Sequence, residues 1–399
     1  MTAWADYTTG ERIKALRGLM TQEALAEVAG VSVHLVRKAE QSKSISLPYL
    51  IKLSEALGTD VSIVLGEQSP RRAMARDERA ALRAISIATH EAGGGFGAGV
   101  EPGELTDLQA AFDVIWRDYW NGSYNNVGAV LPRVLAEAHA LSQDATGHEQ
   151  EKAAALLCDA FQLSAHYANN LSARDLAYAA TMYGKKAAAQ ASDEMRDARM
   201  DALLSWVYLR DGKPGKGVVV AEQAAARIEP RFSDSDTIHL AVYGNLMANA
   251  AVAASRGGAS DQAARDYLSH AHAVAARMGT DVNAFGAIFG PTAAVTQSVS
   301  VSLALDDIGQ ALGLVRGARL DPNGVLASGR ARYHLDIGLL MCQTRQFDKA
   351  VDAIRTAHET APAFTRIQAL TTELLRRLAE SSTANVRRLA ATVGVPVVW

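Results

Sequence analysis

Between residues 9 and 66 apolar side chains recur at helical spacing in four short runs, bounded by capping or turn residues. Thr9 to Leu19 carries Ile13 and Leu16. Thr21 fits the N-cap of a second run, Gln22 to Ala29, with Leu25 and Val28 as its apolar positions, and Gly30 ends it. Ser32 caps a third run that reaches Gln41, with Leu35, Val36 and Ala39 as its buried stripe. Pro48 sits in the first turn of a fourth, which stops at Gly58. Two short helices joined by a tight glycine turn make a helix-turn-helix. Residues 71–90 then read as one helix carrying Arg71, Arg72, Arg76, Arg79 and Arg83, either a solvated face or a backbone contact beside the head. The segment EAGGGFGAGVEPGE at 91–104 holds six glycines and one proline, which predicts a linker without regular structure.

From Leu105 onward the pattern becomes a succession of helix pairs. In RARYHLDIGLLMCQTRQFDKAVDAIRTAHETAP, Gly338, Ala350, Ile354, Ala357 and Pro362 take the small, small, large, small and proline positions of a tetratricopeptide repeat. Ala165/Ala177 and Ser205/Gly217 repeat its small-to-small spacing. The equivalent second-helix positions Val127, Ala177, Gly217, Ala263, Ala311 and Ala350 lie 50, 40, 46, 48 and 39 residues apart, so helices or loops are longer than in the standard repeat. Small residues let paired helices approach closely, and the pairs stack because none buries its own apolar face alone. The predicted fold is all-α: a head at 1–66, a basic helix and glycine-rich linker at 67–104, and a helical-repeat body at 105–399.

Composition narrows the class further. Of 399 residues 49% are hydrophobic but only 6% aromatic, and alanine dominates the apolar fraction, which favours closely packed helices over sheet. No apolar run reaches the ~20 residues of a membrane helix, and charges occupy the N-terminus where a signal peptide needs an apolar run, so a cytoplasmic protein is expected. Cys158 and Cys342 lack metal-ligand spacing and read as small buried hydrophobes. Net charge is −3, and residues 1–66 balance seven Lys/Arg against seven Asp/Glu. That is a weak electrostatic footprint for a nucleic-acid binder, so two heads must act together.

The string TQEALAEVAGVSVHLVRKAEQ, followed by SLPYLIKLSEALGTDVSIVLG, resembles the phage-repressor-like (Cro/C1, or XRE) helix-turn-helix family. Gln22, Ala26, Gly30, Val36, Glu40 and the L-x-x-L-x-x-A-L-G fourth helix stand in family register. The segment LRGLMTQ is two residues shorter than usual, which makes Arg17 the arginine that the family pairs with Glu40. The resemblance implies double-stranded DNA as partner. Val33, His34 and Lys38 would then face the major groove with Arg37 beside them, behind the capping Ser32, while Gln22, Ser42 and Lys43 would grip phosphates. Segments IWRDYWNGSYNNVGAVLPRVLAEA and FGPTAAVTQSVSVSLALDDIGQAL resemble the helical-repeat regulators common in actinomycetes that fuse this head to this body. The architecture is also similar to that of quorum-sensing peptide-pheromone receptors.

No catalytic constellation, cofactor motif or metal-ligand cluster is visible; His270 and His272 are two apart on a helix and point to different faces. Polar and aromatic side chains do gather on the predicted first helices of the pairs, which line the concave face of such repeats. They are Tyr167, Asn169, Asn170, Trp206, Tyr208, Tyr243, Asn245, Asn249, Phe285, Phe289, Arg332, Tyr333 and His334. Asparagines can grip a peptide backbone and aromatics can form anchor pockets; for any single one, packing between helices is the plain alternative. The expectation is a homodimeric, non-enzymatic transcription regulator whose body senses a small molecule or short peptide. The alternative is an interaction scaffold whose body docks a partner protein, with DNA binding secondary.

Overall fold

The computed structural model describes residues 7–43, 45–59, 61–65, 76–96, 99–101, 103–171, 173–234, 236–321, 324–366, 368–379 and 383–395. Among them the chain is helical throughout except for one short hairpin, and no helix is long and apolar enough to cross a membrane. It divides into two compact units, one holding Met1–Met74, Asp306–Arg316 and Ala327–Trp399, the other Ala75–Leu305 and Gly317–Leu326.

In the first unit, α1 (Thr9–Arg17), α2 (Gln22–Ala29), α3 (Val33–Glu40), α4 (Leu47–Ala56) and α5 (Val61–Leu65) enclose a small core. Ile13, Leu25, Val36, Leu53 and Val64 are fully buried in it, each contributing about 1.5–3 kcal/mol. The caps fall where the sequence places them. Thr21 Oγ1 accepts from Ala24 N at 3.1 Å and Ser32 Oγ from Leu35 N at 3.2 Å, while Gly30 is left-handed at φ 61°. Val28 departs from the predicted stripe and is exposed, because Ala26 and Ala29 fill the space beside Leu25. The C-terminal helices of this unit are α17 (Ala327–Gln343), α18 (Phe347–Thr360), α19 (Pro362–Arg366), α20 (Ala369–Ala379) and α21 (Thr383–Val393), the last three lying beyond the final predicted repeat. Ala350, Ile354 and Ala357 are fully buried between them. Within this unit α5 packs against α20.

The second unit begins with α6 (Arg76–Gly94), which packs on α8, α9 and α10 of the series α7 (Leu105–Trp120), α8 (Tyr124–Asp144), α9 (His148–Asn170), α10 (Arg174–Gln190), α11 (Glu194–Arg210), α12 (Pro214–Arg227), α13 (Thr237–Ala253), α14 (Asp261–Met278) and α15 (Pro291–Ala304). Each helix packs on the next from α7 to α15, and the odd-numbered ones also touch one another in order, α7 to α9 to α11 to α13 to α15. The odd helices therefore form one continuous layer. Its central members are buried nearly all round, as α9 shows by its unbroken burial from Leu156 to Asn169, polar residues included.

The predicted second-helix positions all fall near the starts of α8, α10, α12, α14, α16 (Ile308–Gly317) and α18. In α14 the buried small residue is Ala264 rather than Ala263. At Gly217 an added Cβ would lie 3.0 Å from the carbonyl oxygen of Ser205, the close approach that its small-residue pattern requires.

Two segments depart from expectation. The glycine-rich stretch does not begin the linker at 91, because α6 continues through Gly94. Gly93 is helical, and a Cβ on it would sit 2.3 Å from the Tyr183 ring, so the glycine serves packing rather than flexibility. Arg79 and Arg83 of this helix are exposed, whereas Arg71, Arg72 and the side chain of Arg76 lie outside the described residues. Phe285 and Phe289, expected on a helix, belong to a hairpin of β1 (Val282–Ala284) and β2 (Ala287–Phe289), antiparallel with Ala284 opposite Ala287. Its two-residue loop has φ 50° at Phe285 and φ 77° at Gly286, positive at both central positions as a tight hairpin turn demands.

Candidate functional site

Helix α3 is held by one side and presents the other. Val36 and Ala39 face the core while His34, Arg37 and Lys38 are exposed and Val33 is half-buried against the core rim. The exposed face lies one turn after the Ser32 cap, whose hydroxyl is occupied by the helix itself. Lys43 is exposed just beyond the helix end. Ser42 takes a left-handed conformation, φ 56°, and its Oγ accepts from Gly10 N at 3.0 Å, so this hydroxyl ties the end of α3 to the start of α1.

A buried carboxylate joins the three helices. Glu40, on α3, accepts from Arg17 Nε at 2.5 Å through one oxygen and from Gln22 Nε2 at 2.6 Å through the other. Gln22 Oε1 in turn accepts from Arg37 Nε at 3.3 Å. Arg17 is thus the partner of Glu40 despite the shortened α1–α2 segment. The Gln22 side chain is oriented from both ends, and its helix start, with Thr21 as cap, carries backbone N–H groups suited to a phosphate. Arg37 also reaches Glu23 at 3.4 Å, an exposed pair worth about 0–1 kcal/mol that a DNA phosphate can displace.

The profile of the helix-turn-helix family matches residues 13–64. No curated protein and no solved structure matches the chain. The match runs from α1 into α5, and this XRE-type helix-turn-helix makes the chain a DNA-binding regulator.

The candidate effector residues are placed differently from one another. Tyr167, Tyr243 and Phe289 are buried in packing, Phe289 against Gly244. Asn249 Nδ2 donates to the carbonyl of Ala202 at 3.1 Å, and Asn170 Nδ2 to Tyr119 Oη at 2.8 Å. Asn169 is fully buried; its Oδ1 accepts from Arg174 Nη1 at 2.6 Å while its Nδ2 has no partner. Phe285, at the hairpin tip, lies under the Arg196 guanidinium at 4.4 Å. Tyr333 is buried on α17, in the other compact unit.

Trp206 and Asn245 lead to a cluster that the sequence did not disclose. His166, on α9, has its ring 5.7 Å from Trp116, 5.7 Å from Tyr119, 5.8 Å from Trp120 and 5.3 Å from Trp206, all on neighbouring odd helices. Among the described residues neither imidazole nitrogen has a hydrogen-bond partner, and Trp120 Nε1 is likewise buried and unpartnered. Arg199 is 5% exposed; its Nη1 donates to Asn245 Oδ1 at 3.3 Å and its Nε has no partner. No carboxylate pairs with it among the described residues, and burial lowers its guanidinium to about 10, still charged at neutral pH. Burial holds the His166 imidazole well below its ordinary value, with the positive charge of Arg199 adding to the effect. Neutral His166 thus stands in an aromatic enclosure, with the charge of Arg199 acting on it.

Proposed function

We propose that the chain is a cytoplasmic transcription regulator that binds a two-fold symmetric operator as a homodimer and acts by binding rather than catalysis. Its tetratricopeptide-like body takes up a small molecule or short peptide and alters operator affinity. The observation that carries the reading is α3 itself, capped and buried on one face while His34, Arg37 and Lys38 project from the other. Base-edge donors on an exposed helix face, with Gln22 and Lys43 flanking it, are what direct readout requires. A head with no net charge gathers enough phosphate contacts only in two copies, with half-sites about one helical turn apart.

Effector sensing is supported by the buried donors around His166, which helix packing leaves without partners. The packing of α5 on α20 gives the head an attachment to C-terminal helices, a route for repositioning that does not depend on a tether at 91–104.

Genome-wide enrichment of DNA bound by the full chain tests this directly. Against an enriched fragment, His34→Ala and Lys38→Ala should each lower discrimination between bases by about 1–3 kcal/mol. If the double variant selects the same sequence with the same ratio over random DNA, α3 is not the reader and the proposal is wrong.

A further inference from the structure

Burying an ionised group without a counter-charge costs several kcal/mol, so folded proteins pair such groups or use them. Arg199 is 5% exposed, and its hydrogen-bond partner among the described residues is a neutral amide oxygen, that of Asn245. The same unit holds further buried polar atoms that have no partner among the described residues, including both ring nitrogens of His166, Trp120 Nε1 and Asn169 Nδ2. A guanidinium edge, an indole N–H and an amide N–H are all donors, and an imidazole can donate from one nitrogen. His166 links these side chains: its ring lies 5.8 Å from that of Trp120, the charge of Arg199 acts on it, and Asn169 follows one turn along the same helix.

The walls are planar. Trp116 and Trp120 stack with ring centroids 5.7 Å apart and planes 8° from parallel, and Trp206 closes the opposite side of His166. All three tryptophans are half-buried, so the enclosure has an accessible edge. An aromatic enclosure alone suits a cation. Here the charge that acts on His166, that of Arg199, is positive, and a second guanidinium, that of Arg210, lies 6.0 Å over the Trp206 ring, which reverses the preference. The hairpin tip borders the same walls: at Gly286 a Cβ would come within 2.9 Å of the Trp116 ring, and Gln162 Nε2 holds the Phe285 carbonyl at 2.9 Å.

We propose that this cluster binds a small organic anion bearing a planar ring, its acid group on the Nε edge of Arg199 with Trp120 Nε1 and His166 as further donors, its ring against the tryptophans. A planar carboxylate fits a guanidinium edge through two parallel hydrogen bonds. The proposal rests on the reading of the body as the sensing part, and it names the class of effector that part would take.

Phenylacetate is the probe, with phenylacetamide and phenethylammonium as neutral and cationic counterparts, added to the full chain and followed by thermal melting and tryptophan fluorescence. Phenylacetate should raise the melting temperature and change the fluorescence, and both counterparts should bind at least about tenfold more weakly, as expected for loss of charge-assisted hydrogen bonds. Arg199→Met should lose phenylacetate binding by about the same factor while melting, without ligand, at the same or a higher temperature. Trp120→Phe, which keeps the ring and removes the N–H, should weaken phenylacetate alone. A lower melting temperature for ligand-free Arg199→Met marks a structural arginine and overturns the proposal. So does equal stabilisation of both proteins by phenylacetate, a preference for phenethylammonium, or no binding of phenylacetate.

Operator affinity separates the two readings. Phenylacetate that binds through Arg199 but leaves operator affinity unchanged keeps the site and sinks the sensing reading. A cell extract that shifts operator affinity equally in wild type and Arg199→Met keeps sensing and sinks the site.

Discussion

Removing the Glu40 carboxylate should loosen the helix-turn-helix more than any exposed change in it, because Glu40 is the sole acceptor between two donors. Arg17 can only donate, and Gln22 presents its amide nitrogen to Glu40 because its oxygen serves Arg37. Glu40→Ala leaves the Arg17 guanidinium, 18% exposed, with the Met20 carbonyl but no carboxylate to accept from it, and takes the acceptor from the Gln22 amide nitrogen, a loss of about 3–5 kcal/mol for a broken buried pair. Glu40→Gln should cost less, about 1–3 kcal/mol. Its oxygen can still accept from Arg17, and its NH2 is accommodated if the Gln22 amide flips to present oxygen. The flip turns the Gln22 nitrogen toward Arg37, a second donor, but Arg37 is 57% exposed and can swing away at little cost.

Hydrogen exchange of α1, α2 and α3 in the full chain measures both. Protection should fall by roughly 10²- to 10³-fold or more for Glu40→Ala and by roughly 10- to 100-fold for Glu40→Gln. Unchanged protection in Glu40→Ala, or a Glu40→Gln variant as loose as the alanine one, would refute the network as described.

Two further predictions concern the second unit. At Gly244 an added Cβ would lie 2.0 Å from the buried Phe289 ring, so Gly244→Ala should destabilise by about 1–3 kcal/mol even though alanine is the better helix former by about 1 kcal/mol; a rise in melting temperature would contradict this. Burial lowers the imidazole pKa values of His139, His166 and His272. The unfolded chain then takes up protons near pH 6.5 that the folded chain refuses, so stability is complete above about pH 6.5 and falls as pH drops below it, by up to about 1.4 kcal/mol per pH unit for His166. Melting curves from pH 7.5 to 5 should show the decline, and His166→Phe should flatten it; a decline of the same slope in that variant would locate its cause elsewhere.

The helix-turn-helix was legible because its signals are local. Thr21, Gly30 and Ser32 cap or end helices by bonding to residues within a few positions, and the spacing of Leu25, Val36 and Ala39 declares which faces turn inward. The same holds for the helix pairs, whose small residues near the starts of α10, α12, α16 and α18 mark close helix approach. Local signals also misled. Glycines at 93 and 94 read as a break, yet Gly93 is what lets Tyr183, ninety residues away in sequence, lie against α6. Phe285 carried no strand signal, since strands of three residues are too short to show a period of two and a phenylalanine at positive φ is tolerated only with surrounding contacts such as the Arg196 guanidinium to hold it.

Neither Arg199 nor His166 is marked by its own neighbourhood in the chain. One sits among charges at the start of α11 and the other among alanines on α9. Only the registration of α7, α9 and α11 beside one another removes both from water and leaves their donors without partners. What the sequence by itself determined is the set of elements and the exposed face of α3, because those follow from hydrogen bonds and apolar periodicity within single segments. Which buried groups meet, and that α5 rests on α20, was decided by tertiary packing, because burial and electrostatic cost are properties of neighbours that the chain brings together from distant positions.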